Sequence, residues 1–340
     1  MNPIAEKAML VAVHISQWTA RKHDRSVSRE VASTHNSEEK LGRYNKRLLA
    51  GATKLDDIQT LAGKIRAYFY ATTLPWSDEG LRILPATLFF DLTSKMKEFE
   101  QEFHIAVQDF IEEYPQYVES TRPQLNGLFC AEDYPAAEEL RAKFGMSLEI
   151  LPIPSSEDFR VQLSEEQKTI ISQQIDENVR NSLAKSNRDL WFRTYEVISH
   201  FALRLRDPDA RLHASIFAKV AEMAELLPKL NITDDPALNE LARKVKIELC
   251  EFSVSTLRNH PSLRADTAAK AFCLANQMDA TLKELADTPE GAASPAVGTI
   301  SSPLLFLPMP SEAFIPPPAQ SADAMFAHMA AYMGDAAAAA

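Results

Sequence analysis

The stretch Phe89-Phe90-Asp91-Leu92-Thr93-Ser94-Lys95-Met96-Lys97-Glu98-Phe99-Glu100-Gln101-Glu102-Phe103-His104-Ile105-Ala106-Val107-Gln108-Asp109-Phe110 decides the fold. Phe89, Leu92, Met96, Phe99, Phe103, Ala106 and Phe110 recur at alternating steps of three and four, while Lys95, Lys97, Glu98, Glu100 and Glu102 lie off that seam. The spacing predicts a helix of roughly 25 residues, about 38 Å long at 1.5 Å per residue. Pro85 fits its first turn and Pro115 lies near its end. So many phenylalanines on one side require an antiparallel partner helix, supplied by this chain or by a second copy.

Upstream, Leu55, Ile58, Leu61, Ile65 and Phe69 mark a helix from about Lys54 to Ala71. Val11, Val13 and Ile15 alternate with Ala12, His14 and Ser16, the pattern of a strand with one buried face. Arg25 to Thr34 reads as a short helix and Ser37 to Gly42 as a loop. The run from Arg43 to Leu49 fits either regular structure, and Leu74 to Gly80 has the composition of a loop. A short helix, Pro135 to Phe144, ends at Gly145. Two alternating runs follow: Met146, Leu148, Ile150, then Phe159, Val161, Leu163, separated by Pro152-Ile153-Pro154. With the N-terminal run they predict a small sheet of about three strands.

From Met146 to Glu290 there is no glycine. Phosphate-cradling loops, nucleophile elbows and tight hairpins depend on glycine's positive φ. Pro208, Pro228, Pro236 and Pro261 instead cut this stretch into helix-length pieces. Ser164-Glu165-Glu166-Gln167 is a capping box opening a long helix that Asp207-Pro208-Asp209 ends. Apolar residues three and four apart mark three more helices, over 212–227, 238–252 and 263–285. Short connections make them antiparallel neighbours in a bundle. Past Asp287 the chain has no Lys or Arg, crowds its prolines and ends in alanines, the composition of a disordered tail. The expected fold is mainly α (α+β): an N-terminal α+β region with a long coiled-coil-like helix hairpin (1–163), a helical bundle (164–287) and a tail (288–340).

No chemistry declares itself in these residues. Positions three before His104, His200, His213 and His260 carry no acid, so the di-iron Glu-x-x-His motif is absent. Cys-x-x-Cys, His-Glu-x-x-His, Gly-x-Ser-x-Gly, P-loop and dinucleotide patterns are absent too. Cys130, Cys250 and Cys273 are odd in number and widely spaced, which argues for reduced, structural thiols and a cytoplasmic setting. The apolar run Met9 to Val13 is too short for a signal-peptide core or a membrane span. The expectation is therefore a non-enzyme with no cofactor, no metal and no membrane partner.

The net charge of −11 offers no general attraction to nucleic acid, but the charge is uneven. Between Thr19 and Leu48 eight basic residues face four acids, a local +4. Trp18, Arg21, Lys22, Arg25, Arg43, Tyr44, Lys46 and Arg47, with Tyr68, Phe69, Tyr70 and Trp76 beyond them, interleave cations and rings. Rings stack on unpaired bases while cations neutralise phosphates, so this segment is a candidate single-strand nucleic-acid interface. The plain alternative is core aromatics beside a solvated face. In the tail, Met325, Phe326, Met329, Tyr332 and Met333 fall at helical spacing, a candidate anchor for a groove on a partner protein.

Ile15-Ser16-Gln17-Trp18-Thr19-Ala20-Arg21-Lys22-His23-Asp24, Gly42-Arg43-Tyr44-Asn45-Lys46 and Thr73-Leu74-Pro75-Trp76 resemble an uncharacterised family of phage, plasmid and integrative-element proteins. Glu157-Asp158-Phe159-Arg160-Val161 and Leu227-Pro228-Lys229-Leu230-Asn231-Ile232-Thr233 look like its later landmarks. The resemblance runs from about Met9 to Leu285 and carries no assigned catalytic residue. It implies a neighbourhood that includes a MoxR-type AAA+ ATPase and a von Willebrand A protein. The expected function is a helical adaptor in the bacterial host cytoplasm, working with an ATPase-containing assembly, with homo-oligomerisation left open. The alternative is a single-stranded nucleic-acid-binding accessory. A hydrolase with a dispersed site finds no carboxylate cluster to support it.

Overall fold

β1 (Ala8–Ser16) is the hub of a four-stranded antiparallel sheet. β5 (Arg82–Pro85) pairs with its first half and β6 (Gly145–Leu151) with its second. β4 (Leu74–Pro75) extends the far side, giving the order β4-β5-β1-β6. A computed structural model of the chain describes residues 4–77, 80–155 and 164–287. These fall in one compact unit, Met1–Ala292. Two of the three expected strands are present, and a third and fourth come from a hairpin: β4 falls in the Leu74–Gly80 stretch read as loop, and β5 in a stretch with no strand expected. Leu74-Pro75 is too short to show alternation, and β5 is buried at all four positions, so neither has a period-2 signature. The Phe159–Leu163 run lies outside the described residues, as does the whole tail.

α2 (Thr53–Thr72) and α3 (Phe89–Leu125) form the helix pair that the phenylalanine seam demands. Tyr117 meets Thr53 at one end and Tyr68 packs edge-on against Phe99 towards the other, so the two run antiparallel. Leu92, Met96, Phe99, Phe103 and Phe110 are buried, with Leu55, Ile58, Ile65 and Phe69. α3 is 37 residues long, not about 25, because Pro115 does not end it. A proline inside a helix costs about 3 kcal/mol. Here the turn around it is held by buried Phe110, Ile111 and Tyr114, and the helix runs on until Asn126 takes φ 46°. Pro85 lies outside the helix, closing β5 ahead of a 3-10 turn over Ala86–Leu88.

Residues 165–287 are mainly helical, as expected. After a short α4 (Ala137–Arg141), α5 (Glu165–Arg206) starts from the Ser164 capping box and stops at Asp207. α6 (Ala214–Leu230), α7 (Pro236–Glu248), α8 (Val254–Asn259) and α9 (Pro261–Asp287) follow. Pro236 and Pro261 take first-turn positions, whereas Pro228 sits in the last turn of α6 and interrupts nothing. α8 goes unread because six residues are too few for a period. Arg264, near the start of α9, donates to the carbonyls of Arg204, Leu205 and Asp207 at the end of α5. Arg188 reaches the Leu285 carbonyl, so α5 and α9 are antiparallel. A cation on those terminal carbonyls satisfies acceptors that the helix itself cannot. Among the described residues no helix is long and apolar enough to cross a membrane.

The β4–β5 hairpin and α5 meet at a buried cation. The Arg82 Nε donates to the Thr73 hydroxyl at 2.7 Å and its Nη2 to the Thr73 carbonyl at 2.9 Å, beneath the Tyr70 ring. Arg193 of α5 donates to the Tyr70 and Thr73 carbonyls and pairs with Asp189. Burial, and then the charge of Arg193, pull the Arg82 guanidinium down to about 10. Thr73→Val keeps the shape and leaves that Nε facing a methyl group. Urea unfolding is expected to show a loss of about 1–3 kcal/mol; an unchanged midpoint would mean that solvent already satisfies the donor.

Candidate binding interface

The basic segment folds as a two-stranded ribbon with a helix inserted between its strands. β2 (Arg21–His23) pairs antiparallel with β3 (Asn45–Arg47), and α1 (Arg25–Thr34) lies between them in sequence. Ala20 turns the chain into β2 with φ 50°. Asp24 starts α1 by accepting from the Ser26 and Val27 amides at 3.1 and 3.2 Å. Its own amide donates to the Tyr44 carbonyl at 2.9 Å, and the Tyr44 amide donates to the Ser28 hydroxyl at 3.0 Å. The loop between α1 and β3 is thereby pinned to the start of α1.

The register sets Lys22 opposite Lys46 and Arg21 opposite Arg47. Because strand side chains alternate, these two cationic pairs occupy opposite faces of the ribbon. The lysine face is neutralised. Lys46 is 6% exposed, and its Nζ donates to the Leu128 carbonyl at 2.8 Å while pairing with Asp133 at 2.7 Å and Asp24 at 3.3 Å. Lys22 reaches the other oxygen of Asp133 at 2.7 Å. Burial alone would lower the Lys46 pKa, but Asp133 and Asp24 outweigh it and raise it. Burial would raise Asp133, but Lys22 and Lys46 overcome it and hold the carboxyl below its usual value. The Ser26 hydroxyl, then the Val27 amide, bring Asp24 down to about 2.

The arginine face is open. Arg21 and Arg47 border a cleft of about 170 Å³ together with Thr19, Gly51, Asp56 and Gln59. Neither arginine forms an ion pair or side-chain hydrogen bond among the described residues, and the same holds for exposed Arg25 and Arg43. Asp56 lines the cleft without pairing to either arginine. Like charges set directly opposite on a ribbon cost a few tenths of a kcal/mol to about 1 kcal/mol. A carboxylate or phosphate placed between two guanidinium forks removes that repulsion and can be held bidentately.

The aromatic residues are not gathered beside these cations. Trp18 is packed on Phe110 and Tyr114, at 6.4 and 5.9 Å between ring centres. Phe69 is buried, Tyr68 lies against Phe99, Tyr70 covers Arg82, and Trp76 packs against the core. The cleft uses α2 only as far as Gln59, so Tyr68 begins nine residues further on, about 14 Å along the axis. Tyr44 is the ring left exposed next to the ribbon arginines. Asp133, which neutralises two of the lysines, lies 87 residues from Lys46 and 111 from Lys22 in sequence, and no local pattern announces it.

The thiols differ from expectation. Cys130 and Cys273 are exposed rather than core, because Cys130 sits between two 3-10 turns and Cys273 on the outward side of α9. Cys250 is half-buried, and burial raises its thiol pKa. Among the described residues no three His, Cys, Asp or Glu side chains group as a metal site. The candidate anchor Met325, Phe326, Met329, Tyr332 and Met333 lies outside the described residues. No protein-family model, curated protein or solved structure matches the chain.

Proposed function

We propose that this protein is a non-enzymatic helical adaptor that grips an acidic partner through the arginine face of the β2–β3 ribbon. One observation carries the reading: Arg21 and Arg47 stand opposite each other without a counter-ion among the described residues, while the lysines one residue away are paired. A repulsive pair on an otherwise neutralised ribbon is relieved when a partner supplies the anion. The family resemblance suggests the setting, an assembly around a MoxR-type AAA+ ATPase and a von Willebrand A protein. Single-stranded nucleic acid is the second reading, favoured by the exposed Tyr44 ring next to Arg43.

Arg21→Glu separates binding from folding. It turns a like-charge cross-strand pair into an opposite-charge one, so thermal stability is expected to hold or rise by about 0.2–1 kcal/mol. Fluorescence anisotropy with a labelled glutamate-rich peptide at low salt is expected to show at least a tenfold weaker complex, with a wild-type affinity that falls as salt rises. Wild type that ignores the peptide and takes a labelled oligonucleotide would hand the site to nucleic acid. Binding unaltered by Arg21→Glu would remove the ribbon from either reading.

A further inference from the structure

β6 is an edge strand of the four-stranded sheet. Its seven residues pair with β1 on one side only, and on the other side its backbone groups meet no other backbone among the described residues. None of the seven is buried. The strand holds no proline, no lysine or arginine and no bulge, the usual devices that keep sheet edges apart.

The register decides which occupant fits. Val11, Val13 and Ile15 of β1 lie opposite Ile150, Leu148 and Met146, so these six apolar residues share one face. Let a second β6 approach antiparallel, with Leu148 opposite Leu148 of the second copy. Met146 then meets Ile150 across the join, and the apolar face continues as three rows of four side chains. On the other face Glu149 meets Ser147, so the strand's only charge never faces its own copy. Moving the two-fold by one residue, a relative slip of two, centres the join on Ser147 or Glu149, and the second choice sets like charges together. An edge that complements itself makes an isologous pair, the closed two-fold form. Ile150 is 43% exposed in the single chain and would be covered by the join.

We infer that β6 is a homodimerisation strand, joining two four-stranded sheets into one through Met146, Leu148 and Ile150. This inference is independent of the adaptor reading. A strand of seven residues spans about 24 Å, so the pair is expected to be in concentration-dependent exchange rather than obligate.

The test uses the full chain with Cys130, Cys250 and Cys273 changed to serine. Sedimentation is expected to show a monomer–dimer equilibrium that Ile150→Lys weakens at least tenfold. Register is read by disulfide trapping at two exposed sites that leave the apolar face intact. A mixture of Ser147→Cys and Glu149→Cys proteins should cross-link as the mixed dimer, and far less within either protein alone. A monomer at every concentration would overturn the inference, whether a foreign peptide or another segment of the chain covers the edge. A dimer whose cross-links ignore that register would overturn it equally.

Discussion

Phe110→Ala is expected to destabilise the protein by about 4 kcal/mol, a large share of the roughly 5–15 kcal/mol that holds a typical domain together. Phe110 is fully buried, and its ring meets Trp18, Tyr114, Tyr117 and Phe144 at 5.7–6.4 Å between centres. Those neighbours belong to three separate segments: the chain leaving β1, α3 itself, and the residue before β6. Rigid rings anchored on different elements cannot close over the space that a missing ring leaves. The cavity term therefore adds to the lost transfer energy instead of being relaxed away. Phe90→Ala on the same helix is the control. Phe90 is 78% exposed, and its loss is expected to stay within about 0.5 kcal/mol. Urea unfolding of the two variants measures both. Comparable losses would mean that the aromatic cluster does not hold the sheet to the helix pair.

What the sequence reveals depends on whether a signal is local. α1 is legible to the residue, and so are both ends of α5, because Asp24, Ser164 and Asp207 act through hydrogen bonds to their own neighbours. The Phe89–Phe110 seam correctly demands a partner, and α2 is the partner. Pro115 misleads because a proline rule weighs one residue, whereas burial of Phe110, Ile111 and Tyr114 decides whether the helix continues. The β4–β5 hairpin hides for the opposite reason: a strand buried on both faces loses the alternation that would betray it.

The candidate interface shows the same division more sharply. The basic residues were legible as a group, but their sorting into a paired face and an unpaired face depends on pairing between residues 21–23 and 45–47 and on Asp133 far downstream. Composition treats Lys46 and Arg47 alike. The ribbon turns one into a buried structural cation and leaves the other facing solvent. Trp18 is likewise indistinguishable in sequence from a stacking platform until Phe110 and Tyr114 are seen beneath it.

The second large effect is expected at Lys46. Lys46→Met keeps the aliphatic stem and removes the charge, leaving Asp133 with Lys22 alone and Asp24 without a cation. Breaking one partner out of a fully buried pair costs roughly 3–5 kcal/mol; with Lys22 still present and solvent near, about 2 kcal/mol is expected at pH 7. The pH dependence identifies the cause. In the native protein both carboxyls titrate below their unfolded values, so their contribution is complete above about pH 4 and is lost as pH falls through the folded values, about 2 for Asp24. The Lys46 pKa is raised, so its contribution is complete below the ordinary lysine range and disappears as pH climbs past the folded value. The stability gap between wild type and Lys46→Met should therefore be widest on a plateau around neutrality and narrow at both extremes. The two aspartates should also part company in the variant. Asp24 keeps its main determinants, the Ser26 hydroxyl and the Val27 amide, and stays low. Asp133 keeps its burial but loses a lysine, so its value climbs. Carbon-detected NMR titration of the two carboxyls reads this directly. Equal shifts at both, or a gap that does not change with pH, would show that packing rather than charge holds the ribbon to the Leu128–Asp133 turn.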